Sequence, residues 1–125
     1  MHHSILVVDD SRMMRDIVTY ALECAGYTTL TQAEDGIDAL EKIKENSFDL
    51  IITDINMPRM DGIELCKRLK QQEGYSSIPI IVLTTESSDE IKTRGREAGA
   101  WAWILKPFVP DDLLHVVTTI LLGKK

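Results

Sequence analysis

Asp9 and Asp10 stand together at the end of the apolar run Ile5-Leu6-Val7-Val8, and Asp54 closes a second run, Leu50-Ile51-Ile52-Thr53. Thr84 follows a third run that ends at Leu83, and Lys106 follows a fourth that ends at Leu105. Brought into one crevice, three carboxylates repel: a single pair at ~4 Å costs roughly 4 kcal/mol at an effective dielectric of 20. A hard cation relieves that repulsion. An oxygen-only set with no nearby histidine or cysteine suits Mg²⁺, which keeps several waters and needs only one or two carboxylates plus a phosphate oxygen. Each residue also has an ordinary reading: a strand-end aspartate caps a helix or solvates a loop, Thr84 is a β-branched strand residue, and Lys106 is a surface lysine. As a set they compose a phosphoryl site, with a carboxylate nucleophile, a metal, a hydroxyl donor and an ammonium to neutralise equatorial oxygens.

Such a site requires the five residues to converge, and the intervening chain supplies the elements. Apolar strand-like runs alternate with amphipathic helical stretches five times, the pattern of an α/β domain with a parallel sheet. The first strand is Ile5 to Val8. Ser11 caps a helix with apolar positions Met14, Ile17, Val18, Ala21, Leu22 and Ala25, and Gly26 suits its end. A weaker strand covers Tyr27 to about Thr31, and the next helix turns Ile37, Leu40 and Ile43 inward. The third strand is Leu50 to Thr53. Residues 56–62 form a loop, because Pro58 disfavours helix at Met57 and Asp61-Gly62 is turn chemistry. The third helix carries Ile63, Cys66 and Leu69.

Ile78 to Leu83 is the fourth strand, with Pro79 near its start. Ser87-Ser88-Asp89-Glu90 reads as a capping box with Ser87 at the cap, opening a helix that ends at Gly99; Gly95 inside it costs about 1 kcal/mol relative to alanine. Trp101 to Leu105 is the fifth strand, and Pro110 opens a last helix that runs to about Leu122 before Gly123. If the first strand is central, with the second and third on either side, the winding reverses between strands one and three. Asp9, Asp10 and Asp54 then share the crevice where open parallel sheets bind ligands.

Composition sets limits on everything else. At 125 residues the chain is the size of one compact domain, 1–125, with no tethered output domain expected after Gly123. Hydrophobic residues make up 44% and charged residues 27%, enough for a core and outside the disordered range. A net charge of -6 is the wrong sign for an extended contact with nucleic acid or an anionic membrane. Runs such as Ile80 to Leu83 fall far short of the ~20 residues of a membrane span, and Ser4 to Val8 passes straight into two aspartates with no cleavable leader. Cys24 and Cys66 lack CxxC spacing and read as reduced thiols, so a cytoplasmic location is expected. His2 and His3 precede the first strand and are not expected to be metal ligands.

The segments VVDDS (Val7 to Ser11), DLIITDINMPRMDG (Asp49 to Gly62), IIVLTTES (Ile80 to Ser87), AGA (Ala98 to Ala100) and LKPF (Leu105 to Phe108) resemble a response-regulator receiver domain throughout the chain, most of all its single-domain chemotaxis members. The resemblance implies a flavodoxin-like, doubly wound five-stranded sheet of order 2-1-3-4-5 with five helices. It implies that a sensor histidine kinase phosphorylates Asp54, with Asp10 a direct Mg²⁺ ligand, Asp9 holding metal-bound water and the Asn56 main-chain carbonyl completing the protein share. Thr84 then moves toward the phosphoryl group, Lys106 pairs with its oxygens, and the Lys106–Pro107 peptide is cis. Asn56 and Glu86 are polar residues of the kind found in members that lose the phosphoryl group quickly, although Glu86 reads equally well as loop solvation.

Readout is then expected at the surface of helix four, strand five and helix five. Trp103 departs from the family, standing where motor-binding members usually carry a tyrosine whose ring turns inward; its indole is expected to become buried when Thr84 moves. Asp89, Lys92 and Val116 occupy the same surface, and no charge falls between Leu113 and Leu122, which puts binding to the flagellar motor switch in question. On the last helix Leu113, Leu114, Val116, Val117, Ile120 and Leu121 form one broad face of core type, with Leu122 off it. The implied partners are the kinase, a downstream target protein and a phosphatase, around a monomer that touches neither nucleic acid nor membrane. A phosphorelay shuttle or another pathway stands beside chemotaxis. An aspartyl phosphohydrolase of the haloacid-dehalogenase class fits less well, because such enzymes place an aspartate where this chain has Asn56. A binding module that is never phosphorylated would be signalled by a missing acid, threonine or lysine, and none is missing.

Overall fold

The structure is a computed structural model that describes residues 3–122; His2 and Gly123 to Lys125 lie outside the described residues. Five strands and five helices alternate: β1 (Ser4–Val8), α1 (Arg12–Cys24), β2 (Thr29–Ala33), α2 (Gly36–Glu45), β3 (Leu50–Thr53), α3 (Gly62–Lys70), β4 (Ile80–Thr84), α4 (Asp89–Ala98), β5 (Ala102–Leu105) and α5 (Pro110–Leu122). Every strand pair is parallel and the order is β2-β1-β3-β4-β5, as the resemblance implied. The Lys106–Pro107 peptide is cis.

The central strands are apolar along their whole length because both faces are covered, and their side chains alternate between two cores. Leu6, Val8, Ile51, Ile80 and Val82 pack with Ala39 and Ile43 of α2, Ile63, Cys66 and Leu69 of α3, and Ala98 of α4. Ile5, Val7, Leu50, Ile52, Ile81 and Leu83 face the other way, against Val18 and Leu22 of α1 and Leu113 and Val117 of α5. Two helical layers thus clamp one sheet, which leaves the strand ends as the place for polar side chains.

Several boundaries differ from expectation for physical reasons. The N-cap of α4 is Ser88, not Ser87: its Oγ accepts the Ile91 N–H at 3.2 Å. That start puts Ile91, Gly95 and Ala98 on one stripe facing the sheet side, and the packing decides between two serines that look alike in sequence. β2 lies two residues later than read, at the sheet edge where half-buried residues give a weak pattern. β4 begins at Ile80, after Pro79, and β5 at Ala102, leaving Trp101 56% exposed. In α1, Ser11 caps as expected by accepting the Met14 N–H, but Ile17 is 44% exposed. In α5 Leu113 and Val117 are fully buried, and Leu114, Val116, Ile120 and Leu121 pack half-buried against the same core, so the broad apolar face covers the sheet most completely at its centre.

Candidate functional site at the carboxyl edge of the sheet

The strand register brings the site together. Val8 of β1 pairs with Thr53 of β3, so Asp9 and Asp54 leave the sheet at the same level on adjacent strands. Thr84 ends β4 beside Leu105 of β5, which sets Lys106 at that same edge. Carboxylate oxygens of Asp9, Asp10 and Asp54 lie within 4.8 Å of one another. Asp9 and Asp54 are buried and Asp10 is exposed at the mouth. An all-oxygen cluster with one solvent-facing member has the donor chemistry that suits a hard cation retaining waters, such as Mg²⁺.

Lys106 is 11% exposed at its side chain, and its Nζ reaches both buried acids, Asp9 Oδ2 at 2.7 Å and Asp54 Oδ2 at 3.0 Å. Burial works to lower the lysine pKa, yet the two carboxylate hydrogen bonds overcome it and hold the ammonium above its ordinary value. Asp9 moves up as well: burial dominates, and the bonds from Lys106 and from the Ser11 N–H, 2.9 Å from Oδ1, offset only part of it. The other oxygen of Asp54, Oδ1, accepts the Ile55 N–H at 2.6 Å, so the carboxylate is fixed at both ends.

Above this floor the two polar residues that flank the mouth bond to each other. Asn56 Nδ2 donates to Glu86 Oε2 at 2.8 Å and joins the β3–α3 loop to the β4–α4 loop. The Glu86 N–H donates to Thr84 Oγ1 at 3.3 Å, and the Glu86 carbonyl accepts the Trp103 indole N–H at 3.1 Å. One residue therefore contacts three of the positions singled out by sequence. The Trp103 ring is half-buried across Gly95 of α4, where a Cβ would overlap the six-membered ring. The indole expected to swing into cover thus already has a seat. Gly95, read as a weak point, is what makes room for it.

Three contacts around the site were not foreseen. Arg15 Nη1 of α1 donates to the Asp9 main-chain oxygen at 2.6 Å, while its Nε donates to Gln32 of β2. The β3–α3 loop is pinned at its base by the Gly62 N–H on the Ile55 oxygen at 2.9 Å; a Cβ at Gly62 would overlap the Asp54 main-chain oxygen, so α3 approaches β3 only through glycine. At its tip, Arg59 takes a left-handed backbone (φ 67°), a conformation that costs a non-glycine residue roughly 1–2 kcal/mol, and forks onto Asp35 with Nε at 2.6 Å and Nη2 at 3.0 Å. Asp35 was the available signal, since aspartate is a favoured N-cap and here accepts the Asp38 N–H at the start of α2. Its partner 24 residues on was not legible.

Comparison with known proteins places these features in context. The profile described as "Response regulator receiver domain" matches residues 5–118. Chemotaxis protein CheY1 of Helicobacter pylori is 38% identical over 118 residues, 94% of this chain and 95% of that protein. The alkaline phosphatase synthesis transcriptional regulatory protein PhoP of Bacillus subtilis is 40% identical over 97% of this chain, which spans about half, 49%, of that protein's length. The solved structure of chemotaxis response regulator CheY4 of Vibrio cholerae superposes with a TM-score of 0.89 at 42% identity, covering 97% of this chain and all of that one. On its fold, its strand-end acids and these similarities, the chain belongs to the response regulator receiver domain family of two-component signalling proteins.

Proposed function

We propose that this chain is a Mg²⁺-dependent phosphoacceptor switch in which a histidine kinase phosphorylates Asp54, most fittingly in chemotaxis. The observation that carries the reading is the single ammonium of Lys106 bridging Asp9 and Asp54 at the meeting of β1, β3 and β5. Charge is concentrated there on residues that no packing argument requires. With Oδ1 held by the Ile55 N–H, Asp54 presents Oδ2 toward the crevice. That oxygen supplies the electron pair for the new P–O bond, while the donor's P–N bond breaks and its electron pair stays on the imidazole. Lys106 is placed to follow the negative charge from the carboxylate to the phosphoryl oxygens, and the Thr84 hydroxyl has a proton to donate to one of them. Asp9, Asp10, Asp54 and the Asn56 carbonyl would hold Mg²⁺, which when bound offsets the charge of the incoming group.

The chemotaxis assignment rests on likeness to CheY1 and CheY4, matched over nearly their whole lengths, against the half-length match to PhoP. A phosphorelay shuttle is the reading that remains beside it. The kinase and a target binding at α4, β5 and α5 are the partners proposed.

Acetyl phosphate with Mg²⁺ is expected to add one phosphoryl group to the wild type and none to Asp54→Asn, because an amide lacks the nucleophilic oxygen anion. Intact-mass spectrometry reads the difference. Label that persists in the variant moves the acceptor elsewhere.

A further inference from the structure

The peptide between Asp9 and Asp10 is held by one side chain. Asp9 donates its N–H to the Ala33 oxygen at 3.1 Å, and its Oδ1 accepts the Ser11 N–H at 2.9 Å. Those two bonds fix the peptide that enters Asp9 and the peptide that leaves Asp10, but not the one between them. The oxygen of that middle peptide accepts Arg15 Nη1 at 2.6 Å, and among the described residues no second donor reaches it. Because a peptide is planar, this single bond sets the orientation of the whole group. Asp10 is the exposed member of the acid cluster, and no hydrogen bond among the described residues reaches its carboxylate. Its aim toward Asp9 and Asp54 therefore comes from its backbone.

Arg15 is oriented in turn from β2. Its Nε donates to Gln32 Oε1 at 2.9 Å, and Gln32 Nε2 donates to Asp16 Oδ1 at 3.1 Å and to Thr19 Oγ1 at 3.4 Å, which leaves Oε1 to face the guanidinium. The donors of a guanidinium lie in one plane, so a bond at Nε sets the direction of Nη1. We infer that Arg15, oriented by Gln32, is a positioning residue that aims Asp10 into the metal cluster. Without it the Asp9–Asp10 peptide is free to turn between its two Cα atoms, which changes φ at Asp10 and swings its Cα–Cβ bond. Asp9 and Asp54 keep their bonds to Lys106 and stay in place, so the share of metal binding lost is that of Asp10. This inference rests on the Mg²⁺ reading of the acids given above.

Three variants separate aim from charge and from stability. Gln32→Leu frees Arg15 without changing any charge. Arg15→Met keeps the apolar stem and removes the guanidinium, and Arg15→Lys keeps the charge but loses the planar fork. Mg²⁺ is titrated as the chloride, without any phosphodonor, and followed by backbone amide chemical shifts; thermal midpoints are taken without the ion. The expected result is about tenfold weaker Mg²⁺ binding in Gln32→Leu and Arg15→Met, the low end for groups that orient a metal ligand, with Arg15→Lys between them and the wild type. Removing a cation beside the site would by charge alone tighten the binding of a dication, so a loss in Arg15→Met speaks for aim. In an Asp10→Ala background Gln32→Leu should cause no further loss, because the ligand it aims is gone. Tighter Mg²⁺ binding in Arg15→Met, a lowered midpoint with unchanged affinity, or an equal loss from Gln32→Leu with and without Asp10 overturns the positioning role alone. A wild type that binds no Mg²⁺ overturns it together with the metal reading.

Discussion

The middle of the sheet and its β5 edge are built to different standards. β1, β3 and β4 are buried almost throughout, and the carboxylates at their ends have fixed partners on both sides: Ser11 N–H and Lys106 for Asp9, Ile55 N–H and Lys106 for Asp54. β5 is half-buried along its length, with Leu105 exposed, and it is covered by an α5 in which two residues are fully buried. A densely packed interior has one arrangement, whereas a lightly packed edge can take a second at small cost. Transfer chemistry needs the first property and signalling the second. Lys106 and Glu86 are the residues that belong to both regions.

The contrast should break most visibly at the proposed metal site. Asp10→Ala removes a charged oxygen from a cluster that has few, so Mg²⁺ affinity should fall by about an order of magnitude or more while the fold persists, because carboxylate repulsion is relieved. Titration that finds equal affinity would remove Asp10 from the site and leave the rigid region without its proposed task.

Lys106→Ala tests whether the two regions are separable. Labelling at Asp54 by acetyl phosphate should survive, since the carboxylate and the metal ligands remain. The response at β5 should be lost, because on the proposed reading the ammonium would join the phosphoryl oxygens to the chain that leads into α5. A labelled Lys106→Ala protein whose Trp103 emission responds like wild type would show that the edge listens through Thr84 and Glu86 alone.

The smallest expected effect is at Trp103 itself. In a Trp101→Phe background the remaining indole reports on its seat over Gly95. Beryllofluoride with Mg²⁺ should change its emission slightly and reduce iodide quenching only modestly, because the ring is half-buried and bonded to the Glu86 carbonyl from the outset. The change should vanish in Asp54→Asn. A large blue shift would mean that the seat is vacated and refilled during signalling.

Most of the site's placement was legible because strand ends are. A continuous apolar run that stops at Asp9, Asp54, Thr84 or Lys106 specifies both the strand and the edge on which the polar residue emerges, and a parallel sheet puts all those edges together. What could not be read depends on contacts across the chain. The choice of Ser88 over Ser87 follows from how α4 lies on the sheet, and the Arg59–Asp35 fork joins two loops with no shared pattern. The exposure of Ile17 and the thin burial of α5 were hidden for a related reason: helical period shows which residues share a face, but not how wide a strip the neighbouring layer covers.

Gly95 and Trp103 touch so closely that a change at one constrains what the other can be. A glycine inside a helix is ordinarily open to replacement by alanine with a gain of about 1 kcal/mol, but here the added methyl would collide with the indole. A smaller ring at position 103 would lift that prohibition and make the glycine dispensable. The two positions are therefore sterically coupled. Among relatives, drift at position 95 should be permitted only where position 103 has already given up its tryptophan, which fixes the order in which the two substitutions can be accepted.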